Sequence, residues 1–393
     1  MFVRFSMFDF RKRLYMRKII FSLFIVVTFL NAQEKVRVKL EVISPTLDDT
    51  SKIYIAGNVD ELGGWNPGKI MLEYDATKIW SRKFEIVKGT RLEYKFTKGS
   101  WATEALGSDS SIPQNSVLIA NRDTTVSITI FNWRDKFNFK IKGQITGTVK
   151  YHKNFVLDGL KPRDIFVWLP PDYETDTKKH YPVFYIHDGQ NLVDPRTSNT
   201  FIDWQVDEAA DSLIRTGKVE PFIIVGINNT DDRGAEYNNT PLGKLYIKLI
   251  VEKIKPFVDK TYRTLPNAKH TAVGGSSMGG LISMICAWEF PDVFSKAACF
   301  SPAFKIRDID YVENVSKYSG EKKNLTLYID NGGIDLEARL LPGVNDMVNT
   351  LEKKGFIKGK DLFVYIDKSA SHNEAAWAKR VWKPIEIFFG IYK

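Results

Sequence analysis

The sequence predicts two folded domains of different class, a small all-β immunoglobulin-like sandwich followed by a larger α/β domain. Its 393 residues exceed what one ordinary domain needs. Between residues 35 and 134, short strand-like runs are separated by glycine- and proline-containing turns, without a helical period. From about residue 147, apolar strand-like runs alternate with helical stretches, as in a mostly parallel sheet flanked by helices. We place the two domains at residues 33–135 and 136–393.

Residues 1–32 are predicted to be a signal peptide. A basic stretch at 16–18 precedes an apolar run over 19–30 that is short for a membrane span. Cleavage is expected after Ala32, and the candidate starts are Met1 and Met16. An uncleaved membrane anchor is the alternative. With cleavage, we expect a secreted or periplasmic protein without stable membrane insertion.

Hydrophobic periodicity assigns the elements of each domain in order. A period of two, clearest over 36–42, predicts strands in the first domain at 36–42, 52–56, 80–87, 92–96 and 125–131. In the second domain, continuous apolar runs predict buried strands at 165–169, 183–186, 222–227, 270–273, 296–300, 325–329 and 362–366. Helices are predicted between these strands at 204–216, 242–260, 281–290, 344–354 and 375–390.

The motif GSSMG at 275–279 fits G-x-S-x-G and lies between a predicted strand and a predicted helix. Strand, tight turn and helix together predict the nucleophile elbow of an α/β-hydrolase, which defines the fold class of the second domain. Ser277 is then the candidate nucleophile. The backbone N–H of Met278, at the start of the helix, is a candidate donor to the oxyanion that forms during acyl transfer.

A serine nucleophile requires a base, and the base requires an acid. In an α/β-hydrolase the acid and then the histidine follow the serine along the chain. His372 is the one histidine after Ser277, in a polar loop before the last helix. For the acid we choose Asp335, a few residues past the strand at 325–329. The same loop leaves two alternatives open, Asp330 and Glu337.

The second oxyanion donor is expected from the loop after the strand at 183–186. That loop reads HDGQN, and the backbone N–H of Gln190 is the candidate. His187 in this loop precedes the serine, so we expect it to support the loop and not to transfer protons.

Charge and cysteine content exclude several other classes. The net charge is +9, but residues 1–32 carry more than half of it, and no basic stripe with aromatic residues follows. We therefore expect no nucleic-acid partner. Cys286 and Cys299 both fall in apolar runs and are expected to be buried free thiols. Because no cysteine or histidine pair has ligand spacing, we expect no metal site. Serine-based acyl transfer needs no cofactor, so we expect none.

Four segments of the second domain resemble one group of α/β-hydrolases. They are LPPDY at 169–173, YPVFYIHDGQN at 181–191, Arg233 with Glu236-Tyr237, and SHNE at 371–374 with Trp377. Together they resemble the esterase D/enterochelin esterase-like group, which also holds feruloyl and acetyl-xylan esterases. The resemblance covers about residues 145–393. It implies a serine ester hydrolase with Ser277, Asp335 and His372 in catalysis, and it does not specify the ester.

The first domain has a separate resemblance. AGN at 56–58, ELGGWNP at 61–67, LEYKF at 92–96 and Trp101 are similar to a starch-binding module of family 20, related to the glycogen-binding family 48. This resemblance implies a sugar platform of Trp65, Lys95 and Trp101. The chain departs from the pattern, because Ala102 replaces the usual Glu after Trp101 and the later Asn-Arg loop is reduced to PQN at 113–115. An inert sandwich packed on the hydrolase is the alternative.

These observations predict an exported serine esterase that acts through an acyl-enzyme. Its expected partners are an ester substrate and a starch- or glycogen-like polysaccharide. Two alternatives remain: an esterase for a siderophore or another small ester with a purely structural sandwich, and a non-catalytic glycan-binding protein.

Overall fold

The computed structural model describes residues 33–75, 78–108, 112–136 and 142–391. The signal peptide predicted over 1–32 lies outside the described residues. Within these ranges, no helix has both the length and the apolar composition that a membrane span requires.

The N-terminal part of the chain folds into a β-sandwich. Its strands are β1 (Lys35–Ile43), β2 (Tyr54–Gly57), β3 (Ile70–Met71), β4 (Glu73–Tyr74), β5 (Ile79–Val87), β6 (Arg91–Thr97), β7 (Ala105–Leu106), β8 (Ser116–Ile119), β9 (Thr124–Thr129) and β10 (Asn132–Trp133). Two four-stranded sheets have the orders β4-β5-β1-β9 and β3-β2-β6-β8. Every second residue of β1 is apolar and buried between the sheets, so the predicted alternation builds the core: Val36, Val38, Leu40 and Val42.

The C-terminal part is built on an eight-stranded sheet. Its strands are β11 (Thr148–Phe155), β12 (Arg163–Leu169), β13 (Val183–His187), β14 (Ile223–Ile227), β15 (Thr271–Ser276), β16 (Lys296–Phe300), β19 (Thr326–Asn331) and β20 (Leu362–Ile366). A small separate hairpin consists of β17 (Lys305–Ile306) and β18 (Ile309–Asp310). The order is β11-β12-β14-β13-β15-β16-β19-β20, with β12 antiparallel to both its neighbours and every pair from β14 to β20 parallel.

Helices cover both faces of this sheet. They are α1 (Val206–Arg215), α2 (Arg233–Glu236), α3 (Pro241–Leu249), α4 (Lys255–Thr261), α5 (Met278–Glu289), α6 (Tyr311–Lys317), α7 (Leu336–Lys353), α8 (Glu374–Ala378) and α9 (Trp382–Phe389). A π-helical turn, Ile250–Ile254, joins α3 to α4. Residues of α3 to α7 pack in the core on one face, and residues of α1, α8 and α9 pack in the core on the other.

The predicted fold class, an α/β-hydrolase domain preceded by an all-β sandwich, is confirmed. The helices α2 and α6 were not predicted, and the largest differences from predicted helix bounds are two. α7 begins at residue 336 and not at 344, although Pro342 lies inside it. The predicted helix at 375–390 is two helices, α8 and α9. β11 was not predicted because it is a half-exposed edge strand with polar residues on both faces.

The parallel strand order determines where the functional residues meet. The carboxyl ends of β13, β15, β16, β19 and β20 all lie at the same edge of the sheet. In open α/β sheets, ligands bind in the crevice at this edge. The loops that follow these five strands therefore define the candidate active site.

Candidate active site

Ser277 lies in a sharp turn between β15 and α5. Its backbone angles, φ 58° and ψ −120°, are rare for a residue with a side chain, and such strain is concentrated at functional sites. Two hydrogen bonds hold the turn, from the Ser277 N–H to the Phe300 carbonyl at 2.9 Å and from the Ala303 N–H to the Ser277 carbonyl at 3.1 Å. The half-buried serine is thus fixed at the N-terminus of α5, beside the Met278 N–H.

Two glycines let the turn close. A Cβ on Gly275 would lie 2.9 Å from the backbone of Gly279, which is closer than real Cβ atoms come. A Cβ on Gly279 would lie 3.3 Å from the Asp188 carboxylate in the loop after β13. The glycines of the motif therefore allow β15, α5 and the neighbouring loop to approach one another.

His372 is paired with Glu337 at the same sheet edge. The distance from His372 Nδ1 to Glu337 Oε1 is 3.1 Å, and the Glu337 side chain is fully buried. Burial opposes ionisation of Glu337, but hydrogen bonds from His372, Ser301 and the Gly332 N–H outweigh it and hold the pKa of this carboxyl below its usual value. Because Nδ1 faces the carboxylate, Nε2 is the nitrogen available for proton transfer. The imidazole also packs edge-on against Trp377.

The choice of Asp335 as the carboxylate beside His372 is corrected by the structure. Asp335 is exposed and lies just before α7 with φ 55°. Glu337 lies in the first turn of that helix, and its side chain faces inward. Asp330 is also not the partner, because Arg380 (2.8 Å) and the Tyr328 hydroxyl (2.9 Å) occupy its buried carboxylate.

Ser301, which the sequence did not single out, links the histidine to the elbow. It directly follows Phe300 and has φ 43°. Its Oγ accepts hydrogen bonds from Trp377 Nε1 at 3.0 Å and Arg380 Nη2 at 3.2 Å, and its hydroxyl bonds to Glu337. The turn after β16 thus contacts both Ser277 and the partners of His372. Its position after a parallel strand was the signal available in the sequence.

The predicted oxyanion loop follows β13. Asp188 adopts a left-handed conformation and leads into a 3₁₀ turn over Gly189–Asn191. Burial opposes ionisation of Asp188, but Arg233 and Asn229 outweigh it, and the pKa of this carboxyl is lowered. Hydrogen bonds to Gln190, from Thr197 Oγ1 to its carbonyl (2.6 Å) and from the Asn229 N–H to its side chain (3.2 Å), hold the residue whose N–H is the candidate donor.

Arg233 ties the oxyanion loop to the elbow. Its Nε and Nη2 each lie 2.7 Å from an oxygen of Asp188, and Nη2 also donates to the Ser276 carbonyl at 3.4 Å. The helix that carries it is anchored by a buried pair, Arg163 with Glu236. The resemblance had marked Arg233 without giving its contacts.

His187 is buried below this loop. Its Nδ1 lies 2.8 Å from the Tyr246 hydroxyl, and burial lowers its pKa to about 3. The ring is therefore neutral and is held among tyrosines, in agreement with the predicted supporting role.

Two of the three residues implied for a sugar platform, Trp65 and Trp101, lie close together. Trp65 and Trp101 are half-buried, with ring centroids 6.4 Å apart and planes at 38°. Lys95 forms an ion pair with Glu104. Its Nζ lies 3.1 Å from the carboxylate, and only 17% of its side chain is exposed. The buried Glu104 also binds Arg134 at 3.1 Å. A sugar hydroxyl would have to compete with Glu104 for Lys95.

The sandwich contacts two loops of the candidate active site. Arg134 donates to the carbonyls of Ser198 and Asn199, and the Asn199 N–H donates to Asn191 at the end of the oxyanion loop. A Cβ on Gly234, next to Arg233, would lie 3.6 Å from the Gly64 carbonyl. Trp65 directly follows Gly64 in the chain, so this turn of the sandwich lies close to the helix that carries Arg233.

The sheet order, the strained serine turn and the histidine–carboxylate pair define an α/β-hydrolase. The chain belongs to the family described as putative esterase, which it matches over residues 161–383, and it is therefore a carboxylic ester hydrolase. Residues 35–129 match a second family, the starch binding domain.

Individual relatives are distant. The chain is 21% identical over 247 residues to the uncharacterized protein YbbA of Bacillus subtilis, covering 58% of this chain and 93% of the relative. It is 25% identical over 242 residues to an endo-1,4-beta-xylanase/feruloyl esterase of Xylanibacter ruminicola, covering 57% of this chain and 29% of that protein.

Solved structures of esterases share the fold. A ferulic acid esterase aligns with a TM-score of 0.53 and 20% identity, and the alignment covers 62% of this chain and 99% of the esterase chain. The enterobactin esterase FES from Shigella flexneri aligns with a TM-score of 0.53 and 13% identity, over 89% of this chain and 92% of its own.

Proposed function

We propose that the protein is a serine esterase that hydrolyses its substrate through an acyl-enzyme. The observation that carries the proposal is the strained Ser277 turn at the same sheet edge as the Glu337–His372 hydrogen bond. Nucleophile and base in this order along the chain, with the base held by a buried carboxylate, match the arrangement that activates a serine hydroxyl.

In the proposed reaction, Ser277 Oγ attacks the ester carbonyl carbon while His372 Nε2 takes the hydroxyl proton. The oxyanion accepts hydrogen bonds from the N–H groups of Met278 and Gln190. On collapse the carbon–oxygen bond breaks, and the alcohol leaves with the proton from His372. A water molecule then attacks the carbonyl carbon of the acyl-enzyme while His372 takes its proton. When the bond to Ser277 Oγ breaks, His372 returns that proton to Oγ, which releases the acid and restores Ser277.

Glu337 has a positioning role in this scheme. Its carboxylate fixes the proton of His372 on Nδ1, so that Nε2 faces the nucleophile, and it stabilises the imidazolium that forms. The lowered pKa of Glu337 supports this role, because the carboxylate is then charged throughout the neutral range.

For the substrate, we propose an ester carried on a polysaccharide, with the sandwich binding an α-glucan or another glycan. The match to the starch binding domain and the half-exposed Trp65–Trp101 pair support this, since flat aromatic faces pack on sugar rings. A siderophore or another small ester is the second candidate, favoured by the alignment with the enterobactin esterase across both parts of the chain.

A panel of esters tests these proposals. We expect the wild-type chain to hydrolyse at least one of a short-chain aryl, a feruloyl, an acetyl-sugar and a catecholate-lactone ester, and Ser277→Ala to hydrolyse none. Preference for the lactone, with no retention of the full chain on starch or glycogen, would select the small-ester candidate. Glycan retention without hydrolysis of any ester would instead indicate a binding protein.

We also propose that the protein is exported. The basic and apolar pattern of residues 1–32 supports this. Expression of the full chain in a bacterial host should yield a secreted or periplasmic product that begins at residue 33. A product that keeps residues 19–30 in the membrane fraction would contradict it.

A further inference from the structure

Three carboxylates converge outside the candidate active site, where a loop enters α1. They belong to Asp203, Asp207 and Glu208, and one oxygen of each lies within 4.8 Å of the others. Asp203 and Asp207 are buried, and Glu208 is half-buried. Like charges this close repel strongly away from water, so the cluster requires protons or a cation to balance it.

The polar contacts of the cluster do not supply that balance. The groups that donate to it are neutral. They are the Thr146 N–H to Asp207 (2.6 Å), the Gln144 side chain (2.8 Å) and the Thr146 hydroxyl (3.3 Å) to Glu208, and the Gln205 N–H to Asp203 (3.2 Å).

Two oxygens of the cluster receive no hydrogen bond from a donor group. Asp207 is fully buried, yet no donor of the described residues reaches its Oδ1 or Glu208 Oε2. The Asp207 and Glu208 carboxylates lie within hydrogen-bonding reach of each other, and only a shared proton or a cation could join them. Arg196, whose guanidinium lies beside Gly143, is paired with Asp194. The cluster is therefore a set of hard oxygen donors in need of positive charge.

We propose that Asp203, Asp207 and Glu208 bind a hard divalent cation, Ca²⁺. Carboxylate oxygens are the ligands that Ca²⁺ prefers, and the group offers no nitrogen or sulfur that would select zinc or copper. A bound cation gives the two unpartnered oxygens a partner and removes the repulsion among the three carboxylates.

The place of the site in the fold indicates what the cation does. The cluster joins α1 to the segment before β11 through Thr146 and Gln144. The loop that precedes it carries Asn199, which bonds to Asn191 of the oxyanion loop. The cation therefore stabilises the loop that braces the candidate active site, and it takes no part in the chemistry.

Terbium luminescence tests the site directly. Trp204, adjacent to Asp203, is buried and would transfer excitation energy to a Tb³⁺ ion bound there. For the full chain, stripped with EDTA and titrated with TbCl₃, we expect saturable emission at one ion per chain, displaced by CaCl₂. Excess CaCl₂ should also raise the melting temperature by about 5 °C.

Variants locate the ion. Asp203→Asn and Glu208→Gln should each weaken Tb³⁺ binding at least tenfold, with folding confirmed by circular dichroism. Asp211→Asn is the matched control, because Asp211 lies on the same helix but pairs with Arg215, and it should bind as the wild type does. Lack of both emission and a melting shift in the wild type would overturn the proposal and favour a proton shared by Asp207 and Glu208. Binding unaffected by both cluster variants would overturn it as well.

Discussion

Glu337 and the cluster of Asp203, Asp207 and Glu208 are both buried carboxylate centres of the hydrolase domain, but their partners differ. Glu337 faces an imidazole, a hydroxyl and a backbone N–H, and its pKa is lowered. Asp207 faces two further carboxylates and neutral donors, and its pKa is raised to about 8. Burial opposes ionisation in both places. The partners of a buried acid, more than its depth, therefore decide whether it is charged at neutral pH.

The largest expected effect on activity comes from removing the charge of Glu337. Glu337→Gln should lower kcat by about 10³- to 10⁴-fold, because the amide no longer fixes the His372 tautomer or stabilises the imidazolium. Steady-state kinetics on the best ester of the panel measures this. Asp335→Asn, two residues away and exposed, is the matched control and should change kcat less than twofold. If the two variants exchanged these effects, Asp335 would be the acid after all.

Asp188 gives an intermediate case, a buried carboxylate paired with a cation. Arg233→Lys keeps the charge but loses the two-pronged contact with Asp188, so the oxyanion loop is held less firmly. We expect kcat to fall by about 10- to 100-fold with little change in KM. Arg215→Lys, at an exposed pair, is the control. An effect on KM alone would indicate that Arg233 binds substrate and does not position the loop.

The cluster should show itself in the pH dependence of stability. A folded-state pKa raised to about 8 means that the folded chain keeps a proton that the unfolded chain loses near pH 4. In EDTA, the free energy of unfolding should therefore fall between pH 5 and pH 8, by on the order of 4 kcal/mol more than in Asp207→Asn. Urea unfolding at several pH values measures it, and CaCl₂ should remove the loss. If the free energy of unfolding of the wild type changed with pH in the same way as that of Asp207→Asn, the raised pKa would be contradicted.

Glu337 is expected to behave in the opposite way. Its pKa is lowered in the folded state, so its contribution to stability is present at neutral pH and is lost only as the pH falls through that lowered value. Below pH 4, protonation of Glu337, and not of the cluster, should therefore contribute to acid unfolding.

Glu104 extends the comparison to the sandwich, where a buried carboxylate is shared by Lys95 and Arg134. Because Lys95 is committed there, glycan binding should depend on the tryptophans. Replacing Trp65 and Trp101 by Ala should weaken retention of the full chain on soluble starch about tenfold, while kcat on a small ester stays unchanged. Lys95→Met should change retention less than twofold. An equal loss of retention in Lys95→Met and in the tryptophan variant would instead indicate that Lys95 contacts the sugar.

Much of this architecture could be predicted from the sequence because its signals are local. The alternation in β1, the apolar runs of the parallel strands and the glycines around Ser277 each predict their own element. His372 follows from chain order. The identity of its acidic partner could not be predicted in this way. Pro342 and Gly343 are unfavourable in a helix, so the predicted helix began after them and did not include residue 337.

The contacts that brace the site are not encoded locally. Ser301, Arg380 and Arg233 form hydrogen bonds with residues that are distant in the sequence. Only the folded arrangement of the strands brings these partners together. The carboxylate cluster was not predicted for a different reason, because carboxylate ligands have no fixed spacing in sequence of the kind that marks cysteine and histidine sites. Three acids within six residues at the start of a helix are common, and only burial distinguishes this group.

The most direct test of the central claim is covalent labelling of the nucleophile. The wild-type chain treated with a fluorophosphonate probe should gain one adduct per chain, and peptide mass spectrometry should locate it on Ser277. Ser276→Ala should label like the wild type, His372→Ala far more slowly, and Ser277→Ala not at all. An adduct on another residue, or a folded wild-type chain that stays unlabelled, would contradict the account.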